Sequence, residues 1–175
     1  MTGVIWLYGR SAAGKTTLAT ALAASLRREG RPVMLLDGDA VRASLNRDLG
    51  FDDAGRTENI RRIAEVARLG LDAGAIVVCA AITPLRAHRA LIRERLGDAV
   101  TLVHLACPLE VCVQRDPRGL YRRALAGDLP GFTGIGSGFE EPLGHETDVR
   151  LDTAGVSADT ALTTLLQTIR ISPSR

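Results

Sequence analysis

The strongest constraint on the fold lies at residues 9–16, which read Gly-Arg-Ser-Ala-Ala-Gly-Lys-Thr and fit the phosphate-binding pattern GxxxxGK[ST]. An apolar run of strand length precedes the pattern at residues 4–8, and residues 17–26 follow with apolar side chains at helical spacing. A glycine loop in this position points its N–H groups at phosphate oxygens, and the helix N-terminus adds partial positive charge. The order strand, loop, helix therefore indicates a nucleotide phosphate loop.

Lys15 is the only lysine in the chain, and every other strongly basic side chain is arginine. A compact ammonium on a flexible stem suits the β- and γ-phosphates of ATP, while the hydroxyl of the next residue suits Mg²⁺. The alternative is a glycine turn followed by a surface lysine. The residues expected to bind ATP are Gly9, Ser11, Ala12, Ala13, Gly14, Lys15, Thr16 and Thr17, with Thr16 also on the metal.

Composition predicts one domain over residues 1–175, because this length buries enough surface to fold alone. The net charge of +2 is spread along the chain, which predicts neither a nucleic-acid nor a membrane partner. Its three cysteines lie in or beside apolar runs without metal-ligand spacing, so we expect buried thiols. No membrane span or leader is visible, and we expect a cytoplasmic location.

Apolar runs of strand length recur at residues 33–36, 75–80, 100–105 and 149–151, separated by helical patterns at 59–73, 84–96, 108–115 and, after the last, 157–169. This alternation predicts an α/β fold of the P-loop NTPase type, with a buried parallel sheet covered by helices on both faces. Residues 116–146 are rich in Gly, Arg and Pro and break the rhythm. We predict that they form a mobile lid.

Asp37 and Asp39 directly follow the run at 33–36, which we expect to lie beside the phosphate-loop strand. Their carboxylates would then face the γ-phosphate and its metal. Three roles stay open: metal ligand, ligand through water, or base toward an acceptor hydroxyl. A structural alternative is that Asp39, or less readily Asp37, only caps a helix that begins near Ala40.

Several further blocks resemble one family, the adenylylsulfate (APS) kinases, which phosphorylate the 3′-hydroxyl of adenosine 5′-phosphosulfate with ATP to give PAPS and ADP. The blocks are LDGDAVR at 36–42, LNRDLGF at 45–51, RTENIRR at 56–62, PLEVC at 108–112, RDPRGLY at 115–121 and FTGI at 132–135. The resemblance runs almost end to end. It implies sulfate activation as the function and a homodimer as the assembly.

The resemblance also implies roles for single residues. Asp37 is the acid–base or metal-organising carboxylate, and Lys15, Arg118 and Arg122 serve the transferring phosphoryl group. The residues implied to hold the acceptor are Asp39, Arg42, Phe51, Arg56, Asn59 and Phe132, with the two phenylalanines enclosing its adenine. Alternatives are surface solvation for the arginines, core packing for the phenylalanines and helix capping for Asn59.

The chain departs from the family pattern at a few positions. Ala12 stands where the family has glycine, which costs roughly 1 kcal/mol of strain if the backbone there has positive φ. Arg10 replaces Leu, Gly55 replaces an acid that precedes Arg56, and residues 136–142, with Gly136 and Phe139, lack the family's Asp, Pro and Tyr. These departures keep two alternatives open: a related kinase with another hydroxyl acceptor, and a nucleotide-binding module without catalysis.

Overall fold

Five parallel strands form one sheet in a computed structural model, which describes residues 3–169. The strands are β1 Val4–Tyr8, β2 Val33–Asp37, β3 Ile76–Ala81, β4 Val100–Ala106 and β5 Val149–Asp152, and their spatial order is β2-β3-β1-β4-β5. Every neighbouring pair is parallel. The predicted parallel sheet is confirmed, and its carboxyl ends meet along one edge.

Helices cover both faces of this sheet. They are α1 Lys15–Arg28, α2 Gly38–Ala43, α3 Asp53–Asp72, α4 Arg86–Leu96, α5 Leu109–Arg115, α6 Leu120–Leu125 and α7 Ala158–Thr168. Successive β1 side chains alternate between the faces, so Ile5 and Leu7 join one apolar cluster with residues of α1 and α7, whereas Trp6 and Tyr8 join a second with residues of α3 and α4. This is the three-layer architecture that the sequence predicts.

The predicted position of β2 is wrong. β3 lies between β2 and β1, so β2 is an edge strand and its residues are half-buried rather than buried. The prediction took neighbours in sequence for neighbours in the sheet, but a crossover connection can skip a position. As a result, Asp37 ends a strand that lies two positions from the phosphate-loop strand.

Two other features differ from the prediction. Helix α3 begins at Asp53, six residues before the predicted start at 59, because Asp52 caps it by accepting a hydrogen bond from Gly55 N. Residues 116–146 are not irregular throughout, since they contain α6 and a 3₁₀ turn at Gly144–Glu146. The three cysteines are buried and free, as predicted. Within residues 3–169, no helix is long and apolar enough to cross a membrane.

Candidate active site

A cavity of about 800 Å³ opens at the carboxyl edge of the sheet. In open α/β sheets this edge is where ligands bind. Its wall contains most of the predicted site residues: Ser11, Ala12, Ala13, Gly14, Lys15, Thr16, Thr17, Asp37, Asp39, Arg42, Phe51, Arg56, Asn59 and Arg118. Three predicted residues, Gly9, Phe132 and Arg122, are not in that wall.

The phosphate loop joins β1 to α1, and a backbone carbonyl of this loop binds the Lys15 side chain. Its Nζ donates a hydrogen bond of 2.7 Å to the carbonyl of Arg10. Burial lowers the pKa of Lys15 to about 8, and the opposing effects of nearby Asp39 and Cys112 do not offset it. An anion in the cavity would favour the charged ammonium, so Lys15 is suited to respond to phosphate.

At two residues of the loop the backbone restricts the side chain: Gly9 has no room for one, and Ala12 carries one at a cost in conformational energy. A Cβ at Gly9 would lie 2.6 Å from the carbonyl oxygen of Leu105, so only glycine lets β1 end this close to β4. Ala12 has φ of 61°. This is the left-handed region, where a side chain costs about 1 kcal/mol or more, and the strain anticipated for an alanine at this position is present.

Asp37 and Thr16 meet directly across the cavity. The Thr16 hydroxyl donates to Asp37 Oδ2 at 2.6 Å, and the other carboxylate oxygen accepts from the backbone N–H groups of Asp39 and Ala40. Asp37 is therefore the N-cap of α2, so the alternative that Asp39 caps this helix is wrong. The cap orients the Asp37 carboxylate and leaves Oδ2 facing the phosphate loop.

Asp39 instead forms an ion pair with a residue of the predicted lid. Arg118 Nη1 donates to Asp39 Oδ2, and both side chains are more than half exposed. The contact brings residue 118 across the cavity from the loop after α5. Arg122 is placed differently, since its backbone N–H donates to the Asp116 carboxylate while its guanidinium lies against Gly119.

In another part of the cavity wall, Arg42 and Arg56 both bind the loop that carries Phe51. The Arg42 guanidinium stacks over the Phe51 ring at 4.4 Å and donates to the carbonyl of Gly50 at 3.0 Å. Arg56 Nε donates to the carbonyl of Phe51 at 2.7 Å. Burial lowers the pKa of both arginines, and the Arg56 charge contributes to the shift of Arg42. One positive charge thus lies over the exposed Phe51 ring, and a second is bound to the backbone of the same residue.

Arg56 also reaches the segment that carries Phe132. Its two terminal nitrogens donate to Thr133 Oγ1 and to the carbonyl of Gly131. Phe132 packs against the core cluster and contacts the Tyr121 ring edge-on, with centroids 5.1 Å apart. The structure therefore does not place both phenylalanines in the cavity wall, and Phe132 has the core contacts that the alternative described.

Asn59 lies within α3 and not at its start, so the helix-cap alternative for this residue is wrong. It is buried, and its Oδ1 accepts a hydrogen bond of 2.9 Å from Asn46 Nδ2. That bond fixes the amide orientation at the cavity wall.

The glycine departures have local explanations. A Cβ at Gly55 would lie 2.5 Å from the carbonyl oxygen of Gly50, and one at Gly136 would lie 2.8 Å from the backbone nitrogen of Gly131. Neither position has room for a side chain. Arg56 is oriented by the carbonyls of Phe51 and Gly131 rather than by an acid at position 55.

The sequence interpretation missed the end of the cavity formed by Arg115 and the loop after β5. Arg115 Nη2 donates to the carbonyls of Thr153 and Ala154, at 2.6 and 3.0 Å. Thr153 Oγ1 donates to the carbonyl of Ala13 at 3.1 Å, which ties this loop to the phosphate loop. Val156 and Ser157 complete the wall. The only indication of this end of the cavity in the sequence was that its loop follows the carboxyl end of a strand.

A phosphate loop, an acid–hydroxyl pair and an arginine-bearing segment around one cavity define the class of P-loop kinases. A gluconokinase of Sinorhizobium meliloti 1021 shares the fold, with a TM-score of 0.65 at 19% identity. Residues 1–152 match the family described as adenylylsulphate kinase, and the chain belongs to that family.

Individual relatives are similar over most of the chain. The adenylyl-sulfate kinase of Aeromonas salmonicida (strain A449) is 50% identical over 95% of this chain and 85% of its own length. The probable adenylyl-sulfate kinase of Bacillus subtilis (strain 168) is 49% identical over 82% and 73%. A structure of the Mycobacterium tuberculosis APS kinase with AMPPNP and APS has a TM-score of 0.90 at 39% identity, covering 95% of this chain and 96% of that one.

Proposed function

We propose that this chain transfers the γ-phosphoryl group of ATP to the 3′-hydroxyl of adenosine 5′-phosphosulfate, giving ADP and PAPS in sulfate activation. The observation that carries the proposal is the single cavity that joins a phosphate loop to a two-arginine wall with an exposed aromatic ring. Donor and acceptor thus have separate, adjoining places. Family membership and the AMPPNP and APS complex of the M. tuberculosis relative support the same pairing.

At the donor end, the loop amides and Lys15 hold the phosphates, and the adenine lies toward Arg115 and the loop after β5. Thr16 and Asp37 are the residues that would hold Mg²⁺. Their oxygens lie 2.6 Å apart, and a hydroxyl with a carboxylate fits a cation that takes few protein ligands and relies on substrate phosphates. Within residues 3–169 no cluster of three His, Cys, Asp or Glu side chains offers a fuller cage. Bound there, Mg²⁺ would supply charge neutralisation of the phosphates.

At the acceptor end, Arg42 and Arg56 bind the phosphosulfate, since a guanidinium fork can contact two anionic oxygens at once. Three of the five Arg56 N–H groups are used by loop contacts, which leaves two for the anion. Phe51 stacks on the acceptor adenine, and Asp39 and Asn59 contact the same substrate. Phe132 joins Phe51 only if residues 131–137 shift on binding.

Transfer proceeds in line: the bond from the acceptor oxygen to the γ-phosphorus forms as the bond to the ADP oxygen breaks. Asp37 Oδ2, which accepts from Thr16 in this structure, organises the metal or accepts the proton of the 3′-hydroxyl. Lid arginine Arg118 leaves Asp39 and neutralises charge on the transferring group, with Arg122 as the second candidate. Closure of residues 116–146 excludes water.

One assay tests the reaction: purified protein with ATP, Mg²⁺ and APS, following ADP and PAPS. Faster turnover of another alcohol would assign a different acceptor, and binding without turnover would indicate an inactive module. Asp37→Asn keeps an oxygen for the α2 cap but removes the charge, so we expect at least a hundredfold loss of kcat with ATP binding retained, on the scale of one electrostatic group. Asp98→Asn, the same change at an exposed acid in a 3₁₀ turn, is the matched control. Near-normal turnover of Asp37→Asn would remove Asp37 from catalysis.

We also propose a homodimer, from the family resemblance, and a cytoplasmic location, where free thiols persist. Light scattering of the purified protein gives the molecular mass in solution. A monomer over the working concentration range would contradict the dimer.

A further inference from the structure

Two departures from the family pattern, Arg10 and Phe139, contact each other. The Arg10 guanidinium lies 4.6 Å from the centre of the Phe139 ring, and its Nη2 donates to Glu141 Oε1 at 2.7 Å. The Arg10 side chain is only 17% exposed. Arg10, a residue of the phosphate loop, thus binds residues 139–141 through a cation–π contact and an ion pair. We call this segment the strap.

The strap is also hydrogen-bonded to the loop after β3. Glu140 N donates to the carbonyl of Pro84 at 2.9 Å, and the Glu140 carboxylate accepts from the backbone N–H of Arg86. Pro84 belongs to the loop after β3 and lines the cavity. The strap therefore connects the phosphate loop after β1 with the part of the cavity wall that Pro84 lines.

A ring stack supports the strap from below. His104 of β4 stacks on Phe139 and on Tyr8 of β1, with ring centres 6.1 and 5.1 Å apart. His104 is buried, and burial lowers its pKa to about 4, so the imidazole is neutral at physiological pH. Phe139 of the strap therefore packs on an uncharged imidazole ring, which positions the strap against β4 of the sheet.

Arg10 also acts on Lys15 through its main chain, because its carbonyl accepts the Lys15 Nζ hydrogen bond. Its side chain points away from the cavity wall and toward Glu141. The residue that aims the phosphate-binding lysine is therefore the one anchored to the strap. The side-chain contacts between Arg10 and Glu141 and between Arg10 and Phe139 involve none of the residues proposed to bind the substrates.

We propose that the Arg10–Glu141 ion pair is a positioning device that sets the phosphate loop relative to the cavity wall at Pro84 during phosphoryl transfer. The inference rests on the proposed kinase activity. Reacting groups held in an attack geometry lose about a hundredfold in rate when misplaced by roughly 1 Å. Because Glu141 is 63% exposed, Glu141→Ala should cost little folding stability, and the effect of losing the pair should be visible in the kcat of that variant rather than in its thermal unfolding.

The test is a double-mutant cycle with Arg10→Leu, Glu141→Ala and the combined variant, measuring kcat, the KM for APS and the Kd for an ATP analogue. We expect each single variant to lose about tenfold in kcat with the analogue Kd within twofold, and the combined variant to be no worse than the poorer single one. Glu141→Gln, which keeps the hydrogen-bond acceptor, should recover part of the loss. Arg95→Leu, which breaks an exposed pair with Glu65 far from the strap, is the matched control.

Additive losses in the combined variant, or single variants with wild-type kcat, would overturn the proposal. A lower melting temperature with unchanged kcat per folded molecule would show a merely structural role. Absence of APS turnover in the wild-type enzyme would instead refute the proposed function, and the cycle would then be measured with whichever acceptor is turned over.

Discussion

Nucleotide affinity should fall as pH rises through about 8, because Lys15 must be charged to attract phosphate. Burial lowers the pKa of Lys15 to about 8 in the empty enzyme, whereas bound phosphates stabilise the ammonium and raise that pKa. Above pH 8 the empty enzyme loses the proton and must regain it on binding. With a pKa of about 8, the charged fraction falls from roughly nine-tenths at pH 7 to one-tenth at pH 9, so the analogue Kd should rise about tenfold.

Calorimetry with an ATP analogue between pH 7 and 9 measures this Kd directly, and proton uptake in buffers of different ionisation enthalpy should accompany binding at pH 9. Lys15→Arg is the control, because a guanidinium does not titrate in this range. That variant should bind more weakly, fail in turnover and show a flat pH profile. A flat profile in the wild-type enzyme, or a Lys15→Arg enzyme with normal turnover, would refute the reasoning.

Ala12 and Thr83 give further predictions, each measured by thermal unfolding. Ala12→Gly should raise the melting temperature by about 1–2 °C, because relief of left-handed strain slightly exceeds the added chain entropy, whereas Ala13→Gly, at a fully buried neighbour, should lower it. Thr83→Ala should cost about 1–3 kcal/mol, since the buried Trp6 indole N–H donates to Thr83 Oγ1 at 2.9 Å and would lose its partner. Thr83→Ser keeps the hydroxyl and should unfold like the wild type; equal losses in both Thr83 variants would contradict this explanation.

Local patterns in the sequence predicted the phosphate loop, and the alternation of strands with helices predicted a parallel sheet, because the type and order of the elements can be read along the chain. Strand order does not. Asp37 was expected next to the phosphate-loop strand, yet β3 lies between the two strands. Asp37 still meets the loop because its partner Thr16 lies on α1, beyond the end of β1, and the α2 cap turns its carboxylate toward that helix.

The loops around the acceptor were harder to predict. The role of Arg56 in joining the Phe51 loop to residues 131–133 depends on pairing between segments about 75 residues apart. No periodicity encodes such a contact. The close approach of the Gly50 carbonyl to Gly55 cannot be seen in the sequence either. There, Gly55 indicates the loss of an acidic partner for Arg56, whereas the structure shows that a side chain would not fit.

The distribution of basic side chains follows from what each contact must do. Arg56 donates from three nitrogens to oxygens of two separate loops, which a planar fork can do and an ammonium cannot do with fixed geometry. Arg115 donates from Nη2 to two successive carbonyls of the loop after β5. Lys15 makes one hydrogen bond, to the Arg10 carbonyl, and the pKa near 8 leaves its charge responsive to an incoming anion. Arginine therefore suits the positions that hold loops together, and lysine suits the one position where the cation must exchange or extend its contacts when phosphate arrives.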